Sequence, residues 1–535
     1  MELRRCRGDD SHRFTGRKIF PGSMVMLSMV MLLLVLLCLP GQGQTTANPQ
    51  DPSKTVASHL DEKSADELAQ YVHEKLQSIP DPRTLKRDDL PRIFLILDEG
   101  IAAGRKYVSD HPDGTDHPGV FCDLGRMLVL NVDRHVGELN EEAKIFGAPL
   151  TSEQRLSEQF TYLVEVEMLA RQALETEMKP SLRCRLEVLL GDCLLKMRNP
   201  SGSADAFMRA LRLDTSLEDV NEMRIKLIES LEIAERYSDM LKAGNETLAK
   251  HPRSPFLPHL VYFTHKAHRH LGLLRKGRDL WRLWGPVLRA GASGGAISIP
   301  GVEAKWRVPT GKENDFRLIA DRAGFYEGFY QLALGERQLA LRAFLDFNDS
   351  LNTRINSGEV ISMATKTYLD FQSIPMAQRV DVLHGKKAPP LDGLQWVQPP
   401  PEMDPDKTIE LRLLCDSSRA GGRQARFIAL LKKLELEYSS RGLRVVWISS
   451  VLRKERADRE AASMAAIANK HLLGWAYGVQ PGQEAGVIER HLGSHGGTLL
   501  LAIDADGLIQ WEVIDPMFWD EGLYRTIINR LLHEE

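Results

Sequence analysis

The chain has 535 residues, 43% hydrophobic and 27% charged, with 69 Lys and Arg against 73 Asp and Glu for a formal net charge of -4. That length holds about three or four ordinary domains, or one long repeat array with a further domain. The charge balance leaves no general basic excess to grip a polyphosphate backbone, which disfavours nucleic-acid binding; six cysteines exclude a disulfide scaffold, and the Leu-, Ala- and Val-rich composition excludes wholesale disorder.

Residues Ser23 to Leu39 (SMVMLSMVMLLLVLLCL) carry no charge. Arg4, Arg5, Arg7, Arg13, Arg17 and Lys18 precede them, and the chain turns polar after Pro40-Gly41. A basic lead, an apolar stretch and small residues at Gly41 and Gly43 form an export signal, with cleavage expected near Gly43. The stretch also reaches the short end of the roughly 17–25 residues that a membrane helix needs. Residues 1–43 therefore read as a signal peptide or a signal anchor, and the protein as exported, periplasmic or in the cell envelope. Cys38 follows Leu37, where a lipid-attachment signal wants a small residue.

From Ser64 to Phe371 apolar residues recur at helical spacing. Ser64-Ala-Asp-Glu67 is a capping box that opens a helix carrying Leu68, Val72 and Leu76, and Pro80 and Pro82 stop it. Leu90 to Val108 is predicted as a helix with Ile93, Leu97 and Ile101 on one face. Thr151-Ser-Glu-Gln154 caps another, running through Phe160, Leu163, Val166 and Leu169. Asp110, His111, Asp113, Asp116 and His117 follow no metal-ligand spacing and read as a polar turn. Helix pairs with short breaks are what an α-solenoid looks like in sequence.

Two segments share a pattern. Gly191 is followed by Ser203, Phe207, Ala210 and Thr215, and Gly328 by Ala340, Phe344 and Phe347, at matching offsets. Thr247-Leu-Ala-Lys-His-Pro252 looks like a repeat end. These positions resemble the tetratricopeptide repeat, which implies packed helix pairs over residues 44–384, interrupted around Gly291 to Lys312, with a protein or peptide partner on the array. Phe207, Phe344 and Ala340 are expected in the core. His265 and His268 stand one helical turn apart, but neighbouring Lys266 and Arg269 would oppose a divalent ion, so the stretch His259 to His270 reads as a solvated cationic face. Cys184 and Cys193 read as two small buried residues.

Composition shifts at Gly385. Gly385-Lys-Lys-Ala-Pro-Pro390 and prolines 399, 400, 401 and 405 make a stiff lead-in. Strands are expected at Ile409 to Leu414, Leu443 to Ser449, Thr498 to Ile503 and Leu508 to Val513, the last two joined by a tight turn at Asp504-Ala-Asp-Gly507. Helices are expected at Ala425 to Tyr438, Ala457 to His471 and Asp520 to His533. The expected order is β-α-β-α-β-β-α.

Residues 385–535 resemble the redoxin group of the thioredoxin superfamily. The resemblance rests on Gly385-Lys-Lys-Ala-Pro389, Tyr438-Ser-Ser-Arg-Gly-Leu-Arg-Val-Val446 and Gly496-Gly-Thr-Leu-Leu-Leu-Ala-Ile-Asp-Ala-Asp-Gly507. It implies an α/β thioredoxin-like domain behind the mostly α array. The family's chemistry needs a thiolate at a helix N-terminus after the first strand and a second Cys two residues on. Here the place reads Cys415-Asp-Ser-Ser-Arg-Ala-Gly-Gly-Arg423 with no Cys-x-x-Cys. Counting from the second phrase puts the family's cysteine pair near Arg419 to Gly422 and makes Cys415 the last residue of the strand. The family's cis-proline position holds Thr498, where a cis bond would cost roughly 3–4 kcal/mol. His491 and His495 read as surface residues. The expectation is an exported binding or scaffold module with a degenerate redox site and no cofactor or metal. The alternative is a redoxin-type thiol-disulfide oxidoreductase using Cys415 alone.

Overall fold

A computed structural model describes residues 60, 63–80, 89–112, 117–145, 149–213, 220–299, 301–303, 305–359, 361–400, 408–420, 424–451, 454–481, 498–514 and 520–533. The expected export segment 1–43 lies outside them. Among the described residues no helix is long and apolar enough to cross a membrane. The described residues pack as two compact units, divided between Ser230 and Leu231.

The first unit is helical: α1 (Ala65–Gln77), α2 (Leu90–Asp110), α3 (Pro118–Ile145), α4 (Ser152–Leu174), α5 (Pro180–Lys196), α6 (Pro200–Leu213) and the start of α7 (Val220–Ile233). Both capping boxes form. Ser64 N–H donates to Glu67 Oε2 at 2.8 Å, and Thr151 N–H to Gln154 Oε1 at 2.9 Å, with Gln154 N–H returning to Thr151 Oγ1 at 3.1 Å. Each removes orphan donors from a helix start. From α1 to α6 consecutive helices pack together, and α1 touches α3 as α3 touches α5, so these three form a row. Leu68, Ile93, Leu97, Leu124, Val166 and Leu189 share one core. Phe160, which the helical spacing groups with Leu163, Val166 and Leu169, is exposed; the buried stripe of α4 runs through Leu163, Val166 and Ala170.

The second unit begins with the end of α7 and continues as α8 (Tyr237–Lys250), α9 (Leu257–His270), α10 (Leu274–Ala292), the short pair β1 (Ala296–Ile297) and β2 (Trp306–Arg307), α11 (Glu313–Ala320), α12 (Ala323–Ala333), α13 (Arg337–Asn356), α14 (Met363–Tyr368) and α15 (Ile374–Val382). The interruption at Gly291 to Lys312 holds that antiparallel pair. The glycine offsets have a direct cause. A Cβ on Gly191 would lie 2.8 Å from the Phe207 ring, and one on Gly328 would lie 2.8 Å from the Phe344 ring. Both rings are wholly buried, and each contributes about 1.5–3 kcal/mol by leaving water.

The sheet follows: β3 (Gln395–Gln398), β4 (Ile409–Leu414), α16 (Ser417–Ala420), α17 (Ala425–Tyr438), β5 (Leu443–Val451), α18 (Ala457–His471), β6 (Ala476–Pro481), β7 (Leu499–Ile503), β8 (Ile509–Ile514) and α19 (Glu521–Leu531). Its order is β3-β6-β5-β4-β7-β8. β4, β5 and β6 run parallel, and β7 and β8 return antiparallel beyond β4. The expected order thus gains a strand, β6, between α18 and β7, and an edge strand, β3. Every residue of β4 is buried, including Glu410, which is ion-paired with Arg412 and Arg444.

Within this unit α9 packs on α19. Arg269 Nε stands 3.2 Å from Asp520 Oδ2, and His270 Nε2 stands 2.6 Å from Asp520 Oδ1, with Asp520 only 1% exposed. Burial raises the Asp520 carboxyl, but Arg269 and then His270 overcome this and hold it below its ordinary value. The Tyr237 ring stacks on His270 at 3.7 Å. The stretch read as a solvated cationic face is therefore wrong in its key residues: His265, His268 and Arg269 are buried. The counter-charge of Arg269, Asp520, lies 251 residues downstream in the sequence.

Candidate functional site

Cys415 follows the last residue of β4 and prolongs its ladder. Its N–H donates to Ile448 O at 3.0 Å, and its carbonyl accepts from Trp447 Nε1 at 2.8 Å. The antiparallel register that pairs Leu414 with Leu499 puts Cys415 opposite Thr498. The Thr498 hydroxyl lies 3.5 Å from the Cys415 sulfur, and the thiol donates to Asp416 O at 3.3 Å. Cys415 is 4% exposed and Thr498 fully buried. Thiol and threonine therefore face each other, while the Gly497 side of the Thr498 peptide bond lies outside the described residues.

The turn after the strand is anchored by a carboxylate. Glu460, in the first turn of α18, accepts from Ser417 N–H at 2.7 Å and from Ser417 Oγ at 2.8 Å. It also accepts from Ser449 Oγ of β5 at 2.6 Å, and Ser418 Oγ donates to Asp416 Oδ1 at 2.5 Å. A helix start activates a thiol by offering unpaired N–H groups. Here the Ser417 N–H is already spent on a carboxylate. Sequence reasoning missed Glu460, Ser417 and Ser449, because nothing local links residues 417, 449 and 460. Of the positions expected for the family's cysteine pair, Ala420 is buried at the end of α16, while Gly421 and Gly422 lie outside the described residues, as do His491 and His495.

The other described cysteines are no better placed for redox work. Cys122, Cys184 and Cys193 are buried and form no disulfide with one another. Burial first, with Asp123 adding, pushes the Cys122 thiol up to about 12; burial likewise pushes Cys193 up to about 12. Cys184 donates to Ala210 O at 3.3 Å and Cys193 to Leu163 O at 3.2 Å. Among the described residues no group of three or more His, Cys, Asp or Glu is arranged to hold a metal. His265 Nδ1 accepts from Trp281 Nε1 at 2.9 Å and meets Tyr330 Oη at 2.8 Å, inside an aromatic core. Of the polar turn, His117 pairs with Asp66 at 2.6 Å, while Asp113 and Asp116 lie outside the described residues.

No protein-family profile matches the sequence, and no curated protein matches it. Among solved structures, a protein described as a thiol:disulfide interchange protein DsbE from Chlorobium tepidum is similar to 28% of this chain and to 97% of its own length. The identity is 18% and the TM-score 0.21.

Proposed function

We propose that the protein is an exported envelope protein in which a tetratricopeptide-like helical array carries a thioredoxin-like domain without redox activity, the whole serving as a binding and scaffold module. One observation carries this reading: the Cys415 sulfur is buried and held between Asp416 O and Thr498, while the N–H it would need is bound to Glu460. A thiol with no access cannot attack a disulfide. The central β4, the antiparallel β7-β8 pair and the closing α19 agree with the thioredoxin-like reading. The glycine-on-phenylalanine helix pairs agree with the tetratricopeptide-like one. Export rests on residues 23–39 alone, and a reporter fused after Gln50 that stays in the cytoplasm refutes it.

A second reading is a redoxin-type monothiol oxidoreductase in cell redox homeostasis, with Cys415 as nucleophile. The facing of Cys415 and Thr498 favours it, because the family's substrate-binding residue occupies that place. The test compares the intact protein with Cys415→Ser for thiol labelling in the native state and for disulfide reduction. The module reading expects labelling of Cys415 only after denaturation and no difference in turnover. Rapid native labelling with Cys415-dependent reduction overturns it.

A further inference from the structure

The first unit contains a concavity of about 430 Å³ between α2, α3 and α4. Asp98 and Arg105 line it from α2, Asn131, Arg134, His135 and Glu138 from α3, and Glu158, Tyr162 and Glu165 from α4. Four carboxylates face two guanidinium groups, which leaves two negative charges over. Both arginines are already engaged. Arg105 holds Glu165 through two hydrogen bonds, at 2.8 and 2.7 Å. Arg134 holds Glu138 at 2.6 Å and Asp98 at 2.9 Å. Glu158, half-buried, has no ion pair among the described residues. An independent feature points the same way. Asn131 is 7% exposed and gives its amide N–H to Tyr162 Oη at 3.0 Å, yet its Oδ1 is buried without a hydrogen-bond partner. A buried acceptor without a donor is unfavourable, so the site is short of donors and of positive charge.

The helices that line the concavity also expose apolar side chains at helical spacing from the lining residues. Leu95 lies two turns before Ala102 on α2, Leu130 one turn before Arg134 on α3, and Met168 two turns after Thr161 on α4. A small free cation has no use for them, whereas a polypeptide that carries a cationic side chain among apolar ones meets both features. We propose that this concavity binds the cationic head of a lysine or arginine side chain on a partner polypeptide, with Glu158 and Asn131 Oδ1 accepting its N–H groups and the exposed apolar residues taking its neighbours. The assignment deepens the binding-module reading and rests on it.

The test titrates the full chain with a short, end-blocked, fluorescent peptide bearing one arginine between leucines, with its Arg→Gln counterpart, and with free agmatine. The arginine peptide binds about ten-fold tighter than the glutamine one, a difference of about 1.4 kcal/mol, and the preference shrinks as salt rises. Glu158→Gln, a half-exposed change that leaves the core intact, weakens the arginine peptide about five-fold and leaves the glutamine peptide unchanged. Equal binding of the two peptides, or an unaffected Glu158→Gln variant, overturns the proposal. Agmatine binding as tightly as the peptide also overturns it, in favour of a free cation. The Cys415 measurements on the same preparation separate the two levels. An inert thiol with no arginine preference sinks this site alone, and a redox-active thiol with a clear preference sinks the non-catalytic reading and keeps the site.

Discussion

Asp520→Asn keeps the shape of a side chain that is 1% exposed but removes the carboxylate charge that stands 3.2 Å from Arg269 Nε. Arg269 is itself 4% exposed and cannot shed its proton. Breaking a buried pair by removing one partner costs about 3–5 kcal/mol, most of it the burden of the stranded charge. The expected loss is about 3 kcal/mol, roughly a hundred-fold in the folded-to-unfolded ratio. Urea unfolding followed by tryptophan emission reads it, because Trp281 and Trp511 are buried in the same unit. Where two transitions appear, only the one reporting these tryptophans should move. Arg269→Met combined with Asp520→Leu leaves no charge behind and should be more stable than either single change. Acid supplies the sign. Because the folded carboxyl lies below its ordinary value, its contribution is complete above about pH 4 and is lost as pH falls through the lowered folded value. Asp520→Asn therefore loses that acid limb. A penalty under about 1 kcal/mol, or strictly additive single and double variants, would refute the reasoning.

Burial also lowers His259, His265 and His268, the last to about 4. Each stays neutral in the folded chain while the unfolded chain binds a proton below about pH 6.5, so stability is full above that pH and falls on acidification, at up to about 1.4 kcal/mol per pH unit for each histidine. His268→Gln should flatten the stability profile between about pH 6.5 and 4; an unchanged slope counts against the buried, neutral assignment. A Cβ on Gly522 would lie 2.3 Å from Gly272 N and from His270 O, both backbone atoms that cannot rotate away. Gly522→Ala should cost about 1–3 kcal/mol and speed amide exchange at the end of α9, and an unperturbed exchange pattern would show that α9 and α19 do not meet so closely.

Local signals carried much of the fold. Ser64 with Glu67 and Thr151 with Gln154 are bonded within three residues of each other, so their capping boxes declare themselves in sequence. The offsets from Gly191 to Phe207 and from Gly328 to Phe344 record a contact inside one helix pair. The apolar runs of β5 and β7 report burial on both sheet faces. Weaker signals failed. β6 holds Gly478 and ends at Pro481, a poor strand composition that only pairing with β5 makes regular. β3 is a four-residue edge strand of alternating exposure. The long α3 stayed hidden behind the polar stretch that precedes it.

What the sequence by itself determined is the shortage of thiols: one cysteine beyond residue 385 and no Cys-x-x-Cys. What only the tertiary structure decided is the fate of charge. His265, His268 and Arg269 have the composition of a wet helix face, and they are buried because Asp520 and an aromatic core close over them. Glu460 looks like an ordinary first-turn acid, and it becomes the anchor of the Cys415 turn because β5 and α18 bring it to Ser417 and Ser449. Helical spacing records which side chains share a face; whether that face meets water or a distant counter-charge is a long-range matter, and no local pattern encodes it.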